Sequence, residues 1–237
     1  MTTFNFGRRG TRLVALGSLL APIATSSTAN DAAHPTVVEL FQSQGCSSCP
    51  PAIANLNAIA ARPDVIALTF AVTYWDQLGW KDTFARAEFT QRQRDFANAG
   101  VGYVATPQEI INGRIVTNGG DRAQLIAAIR SGDRGTSGPS IQASGKEVRI
   151  NAGPAARKAT IWLVRYDPRA LPVPIRAGEN GGRTIVHRNV VRSLSSIGSW
   201  SGKAVTLAAP AGADPNLRSA ILVQSGPGGP IIAASNL

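Results

Sequence analysis

The only two cysteines of this 237-residue chain, Cys46 and Cys49, stand three positions apart and directly follow the strand-like run Val37-Val38-Glu39-Leu40-Phe41. Two thiols at that spacing, at a strand-to-helix junction, suit thiol–disulfide exchange: one sulfur attacks and the other resolves the mixed disulfide with little backbone movement. A structural disulfide normally joins distant segments, because its stabilisation grows with the loop it closes. This pair closes almost nothing, so the spacing points to chemistry and requires a β-turn-α unit to carry it.

Residues 1–29 read as an export signal. Arg8, Arg9 and Arg12 supply a positive start, residues 13–23 are a short apolar stretch, and Ser27 and Ala29 are placed for cleavage before Asn30. The residues after Arg8-Arg9 fit a twin-arginine signal poorly, which favours general secretion. The apolar stretch is too short to span a bilayer comfortably and no later segment reaches that length. The expectation is a periplasmic or secreted protein without stable membrane insertion. Removing the three arginines of the signal from the whole-chain charge of +10 leaves +7. Nucleic-acid binding needs basic charge gathered on one face with reading elements. Here the arginines are scattered and export separates the chain from most nucleic acid, so the charge reads as solvated surface.

The first half alternates. Residues 37–42 predict a strand. Ile53, Leu56, Ile59 and Ala60 predict a helix that stops near Arg62-Pro63, and residues 65–72 a strand buried on both faces. Residues 83–98 predict a helix anchored by Phe84, Phe89 and Phe96. After Thr106-Pro107 comes a short apolar run, Glu109-Ile110-Ile111. Asn112-Gly113 is a two-residue hairpin signal, with Ile115-Val116 returning antiparallel. Asp121 caps a last helix carrying Leu125, Ile126 and Ile129.

This order, with a CxxC pair after the first strand and an X-Pro peptide before a strand ending in Asn-Gly, resembles the thioredoxin fold over roughly residues 36–131. The resemblance implies that Pro107 is cis and lies against the cysteines. The chain is also similar to an exported bacterial thioredoxin-like family of unknown function. The matching pieces are Glu39-Leu40-Phe41-Gln42-Ser43-Gln44-Gly45-Cys46-Ser47-Ser48-Cys49-Pro50-Pro51, the segment from Tyr74-Trp75-Asp76 to Trp80-Lys81-Asp82, Thr106-Pro107, Gly182-Arg183-Thr184 and Asn189-Val190-Val191-Arg192. That family implies fold and export, and little about substrate.

In the exchange chemistry Cys46 is expected to be the exposed attacker and Cys49 the buried resolver. Ser47 and Ser48 are candidate donors to the thiolate. Pro50 and Pro51 lack N–H groups, which delays regular helix and weakens the dipole's action on Cys46. The resemblance implies a buried acid on the first strand, six residues before the first cysteine, that relays protons to the resolving thiol. Glu39 is offset by seven, and is either that relay or a strand-edge glutamate. Tyr74, Trp75 and Thr106 are candidate substrate-binding residues at the carboxyl end of the sheet; the competing reading makes the aromatics a structural plug. Asp76 and Asp82 are unassigned.

Residues 133–139 read as a linker between a thioredoxin-like domain (30–132) and a β-rich region (140–237). Short β-like runs at 147–150, 160–166, 184–192, 204–208, 220–224 and 231–234, separated by turn clusters, suggest a sandwich. The expected fold class is therefore α/β, a thioredoxin-like first domain followed by a sandwich-like β-rich region. The imperfect alternation of 160–166 marks a central strand.

The leading functional reading is thiol–disulfide exchange with protein or small-molecule thiols and disulfides, with no cofactor and no metal. One alternative is a copper-binding protein using Cys46 and Cys49, with His187 as a third ligand. The other is a non-catalytic binding module. A zinc site lacks its four ligands.

Overall fold

The computed structural model describes residues 1–5, 7, 31–144, 147–209 and 214–237. Most of the expected export signal, residues 6 and 8–29, lies outside them.

In chain order the elements begin with β1 (Thr36–Gln42), α1 (Cys49–Ile59), β2 (Val65–Ala71), α2 (Ala87–Asn98), β3 (Gln108–Ile111), β4 (Ile115–Thr117) and α3 (Arg122–Ser131). The second half contributes β5 (Ile141–Ser144), β6 (Glu147–Ile150), β7 (Ala159–Asp167), β8 (Leu171–Pro174), β9 (Thr184–His187), β10 (Val190–Trp200), β11 (Val205–Ala208), β12 (Arg218–Ser225) and β13 (Ile231–Asn236).

One mixed sheet of eight strands, ordered β13-β12-β7-β10-β2-β1-β3-β4, draws on both halves of the chain. β1 runs parallel to β2 and antiparallel to β3, with Leu40 opposite Thr69 on one side and Glu109 on the other. β10 joins β2 through Val190 opposite Thr69 and then pairs with β7 along its length. A three-stranded sheet, β11-β6-β5, and the hairpin β8-β9 complete the β-structure.

This overturns the expected fold class. Among the described residues, strands hold 36% and helices 16%, and only three helices occur. The molecule is not an α/β thioredoxin-like unit followed by a sandwich. The physical reason lies at β2. Its backbone would be an open edge in an isolated first half, and such edges are normally paired or covered. Here β10 takes it, and β7, β12 and β13 extend the same sheet.

β1 sorts its side chains by alternation. Val37 and Phe41 enter one apolar cluster with Phe70, Phe89 and Phe96 beneath α2. Val38 and Leu40 enter another, with Cys46, Cys49, Leu56, Ile111, Leu125 and Ile185 beneath α1, α3 and β9. A third cluster, including Ile161, Leu163, Ile221, Val148 and Trp200, packs the small sheet onto the second-half strands.

Local expectations met the structure unevenly. Asp121 Oδ1 accepts from the Ala123 and Gln124 amides, as a cap should. The hairpin after β3 takes three residues rather than two, with Ile111 opposite Ile115; Asn112 (φ 46°) and Gly113 (φ 63°) supply the left-handed turn. α2 begins four residues later than expected and leaves Phe84 outside it, against His187. β7 lies between β10 and β12, as its composition predicted.

Candidate active site at the cysteine pair

The chain leaves β1 at Gln42, turns through residues 43–45 and enters α1 at Cys49, the first helical residue, with prolines at the next two positions. Helix therefore starts one residue before the prolines, and their missing N–H groups fall where an α-helix has no acceptor for them. Cys46 and Cys49 form a disulfide with Cα atoms 5.4 Å apart. Ser48, at the helix cap, makes no side-chain capping bond, and its Oγ lies 3.3 Å from Cys46 Sγ. The Cys49 amide closes the turn on the Cys46 carbonyl at 3.1 Å.

Both cysteines have no exposed surface. This corrects the expectation of an exposed attacking Cys46. Two segments cover the turn. In the first, residues 74–82, Trp75 and Trp80 pack on the cysteine cluster. Trp80 Nε1 donates to Gln44 Oε1 at 3.0 Å, and the buried Asp82 carboxylate accepts from the Gln44 and Phe84 amides. Burial raises Asp82 to about 6.

The second cover is the loop of the β8-β9 hairpin. Asn180, fully buried, donates to the carbonyls of Gln44 and Cys46 at 2.9 and 2.8 Å. Exposed Glu179 accepts from the Ser47 amide at 3.0 Å, and hydrogen bonding from the Ser47 side chain and then its amide lowers the Glu179 pKa. An amide beside Cys46 that would favour a thiolate is thus already held by a carboxylate.

Thr106–Pro107 is a cis peptide. Trp75 Nε1 donates to Thr106 Oγ1 at 2.7 Å, and Tyr74 Oη donates to Gln93 Oε1, whose amide nitrogen donates to the Ala105 carbonyl. Tyr74, Trp75 and Thr106 are therefore brought together, as struts that fasten the 74–82 segment to the proline turn. Pro107 lines a cavity of about 410 Å³ with Tyr103, Ala105, Gln108 and Val116.

Glu39 is not brought to the cysteines. It follows Val37 and precedes Phe41 on the α2 face, where Arg92 grips it through Nε and, at 2.8 Å, through Nη2. Arg92 also donates to Gln224 and lies over the rings of Phe96 and Trp162. The relay expected of Glu39 has no geometric basis: its carboxylate is spent on the far side of the sheet.

His187 is likewise apart. Its ring packs edge-on to Phe84, neither nitrogen has a partner among the described residues, and burial lowers it to about 4. Among the described residues no three His, Cys, Asp or Glu side chains converge in a metal-sized site, so a Cys46–Cys49–His187 set is not assembled.

Asn180, Glu179 and Gln44 escaped the sequence reading, since polar residues in loops carry no periodic signal. Glu109 escaped it too, although the reasoning applied to Glu39, an acid inside an apolar strand, applies to Glu109-Ile110-Ile111 as well.

No helix among the described residues is long and apolar enough to cross a membrane. The crystal structure of protein AGR_C_4864 from Agrobacterium tumefaciens is similar over 85% of this chain and 93% of that one, with a TM-score of 0.70 and 32% identity. HBP35 of Porphyromonas gingivalis is similar over 86% of this chain and 74% of that one, with a TM-score of 0.61 and 13% identity, a likeness of fold alone. No curated protein matches the chain by sequence. The family described as "Protein of unknown function (DUF1223)" matches residues 37–224, and the chain belongs to it.

Proposed function

We propose that the Cys46–Cys49 disulfide is redox-active and that the protein exchanges disulfides with protein or small-molecule thiols outside the cytoplasm. The observation that carries this reading is the disulfide itself: the chain's only cysteines, joined across a three-residue separation at the start of α1. A bond that closes so small a loop restrains the unfolded chain little. Its position at a helix start favours a thiolate once the bond opens. The compartment rests on the signal-like composition of residues 1–29.

A partner thiolate attacks Cys46 Sγ, the sulfur–sulfur bond breaks towards Cys49, and Cys49 later displaces the partner from the mixed disulfide. Since both sulfurs are buried, the attack requires a covering segment to lift, and the loop carrying Glu179 and Asn180 is the one proposed to do so. Reduction of insulin by the protein, coupled to a dithiol, tests the reading. Cys46→Ser abolishes turnover, whereas Cys49→Ser accumulates mixed disulfides. Activity indifferent to both substitutions refutes the assignment.

A further inference from the structure

Glu109 has no exposed surface, and among the described residues neither carboxylate oxygen has a hydrogen-bond partner. That is unusual, because a buried carboxylate is normally paired, as Glu39 is with Arg92. Directly opposed residues of an antiparallel pair share a face. Leu40 lies opposite Glu109 and Val38 opposite Ile111, and Val38, Leu40 and Ile111 all belong to the cysteine cluster. Glu109 therefore projects from the cysteine side of the sheet, two residues beyond Pro107.

The carboxyl is roofed by Gly119 (φ 70°), where a Cβ would come within 2.5 Å of Glu109 Cδ and 2.8 Å of both oxygens. The Gly119 carbonyl accepts from Asn55 Nδ2 at 2.7 Å. Asn55 belongs to α1, which Cys49 begins, so the acid lies beneath the helix that carries the resolving sulfur. Gln42, the next residue after Leu40 on that face of β1, is buried with both amide atoms unpartnered. It is the diagonal neighbour of Glu109, within reach of a long side chain.

Among the described residues no other charge explains or compensates the burial. α1 and β4 contain no charged residue. Arg122 and Arg130 of α3 are exposed, as is Arg114 after β3. Glu39 faces α2, and His187 of β9 packs on Phe84. Desolvation alone raises the Glu109 carboxyl to about 8, so near neutrality it holds a proton.

We infer that Glu109 is the buried acid that exchanges a proton with the Cys49 sulfur as the disulfide opens and closes, an inference that rests on the exchange reading above. A thiolate from a thiol or dithiol reductant attacks Cys46 Sγ and forms a mixed disulfide. The Cys46–Cys49 bond breaks and its electron pair stays on Cys49 Sγ. The proton of the Glu109 carboxyl moves to that sulfur, leaving a thiol and a carboxylate. In the resolving direction the carboxylate takes the proton back, the Cys49 thiolate attacks Cys46 Sγ, and the partner leaves as thiolate. The apolar site then never holds two anions.

The test follows reduction of the full chain by dithiothreitol between about pH 6 and 10, with rates normalised to dithiothreitol thiolate, for the wild type and Glu109→Gln. The wild-type rate is expected to fall through an inflection near pH 8. Glu109→Gln is expected to react about a hundredfold more slowly at neutral pH and to lack the inflection. A variant with wild-type rate and inflection overturns the inference while leaving disulfide exchange intact. A wild type that dithiothreitol does not reduce overturns the exchange reading and this inference together. Should Glu109→Gln fail to fold, the wild-type profile decides: an inflection near pH 8 supports the inference, and a flat normalised rate refutes it.

Discussion

Glu39 and Glu109 are acids on neighbouring strands, both fully buried, and their opposite fates follow from one residue's difference in parity. Glu39 points to α2 and meets Arg92; Glu109 points to α1 and meets no cation. Removing one member of a buried ion pair leaves the other charge stranded, so Glu39→Ala is expected to cost about 3–5 kcal/mol in chemical denaturation. Replacing both Glu39 and Arg92 by apolar residues should cost markedly less.

The unpaired acid behaves otherwise. Its folded-state pKa, about 8, exceeds its ordinary value of 4.5, so the native state binds its proton more tightly than the unfolded chain does. That contribution is fully present below pH 4.5 and is lost as pH rises towards 8. Asp82, raised to about 6, adds a similar loss at lower pH, whereas His187, lowered from 6.5 to about 4, destabilises on acidification. Between pH 6.5 and 8 only Glu109 of these three titrates. Melting temperature should decline across that window in the wild type and stay level in Glu109→Gln.

At the level of elements, the sequence disclosed what local chemistry dictates. The continuous apolar run of β2, the Asp121 cap and the turn at Asn112-Gly113 each carry their own signal. It did not disclose that Cys46 is covered. The more distant of the two covers is the β8-β9 loop, about 130 residues away in the chain, held through backbone carbonyls that Asn180 reads without regard to side-chain identity. Because those two bonds hold the loop over the disulfide, Asn180→Ala is expected to speed reduction by small thiols about tenfold, the equivalent of losing roughly one net hydrogen bond. A stopped-flow comparison with the wild type decides it; an unchanged rate means that another segment gates the sulfurs.

The whole molecule departs furthest from the sequence reading. β10 was half missed, because its serines and glycine lack strand character, and β10 is the strand that turns two expected halves into one sheet. Its attachment is polar and specific: Asn189, at φ 50°, accepts from the Thr69 amide through its carbonyl and donates from its side chain to the Ala60 and Ala67 carbonyls. Pairing of Thr69 with Val190 spans too much chain for any periodicity to reveal. A chain ending at residue 139 would leave the apolar β2 with an open edge. It is expected to aggregate, whereas a soluble fragment with native circular dichroism would show that the first half stands alone.

The reduction potential of Cys46–Cys49, obtained by equilibration with glutathione, bears most directly on whether this disulfide is chemical or structural. A redox-active pair is expected at about −270 mV or above, within the range of exchange catalysts. A value below about −300 mV, where structural disulfides lie, would contradict the account.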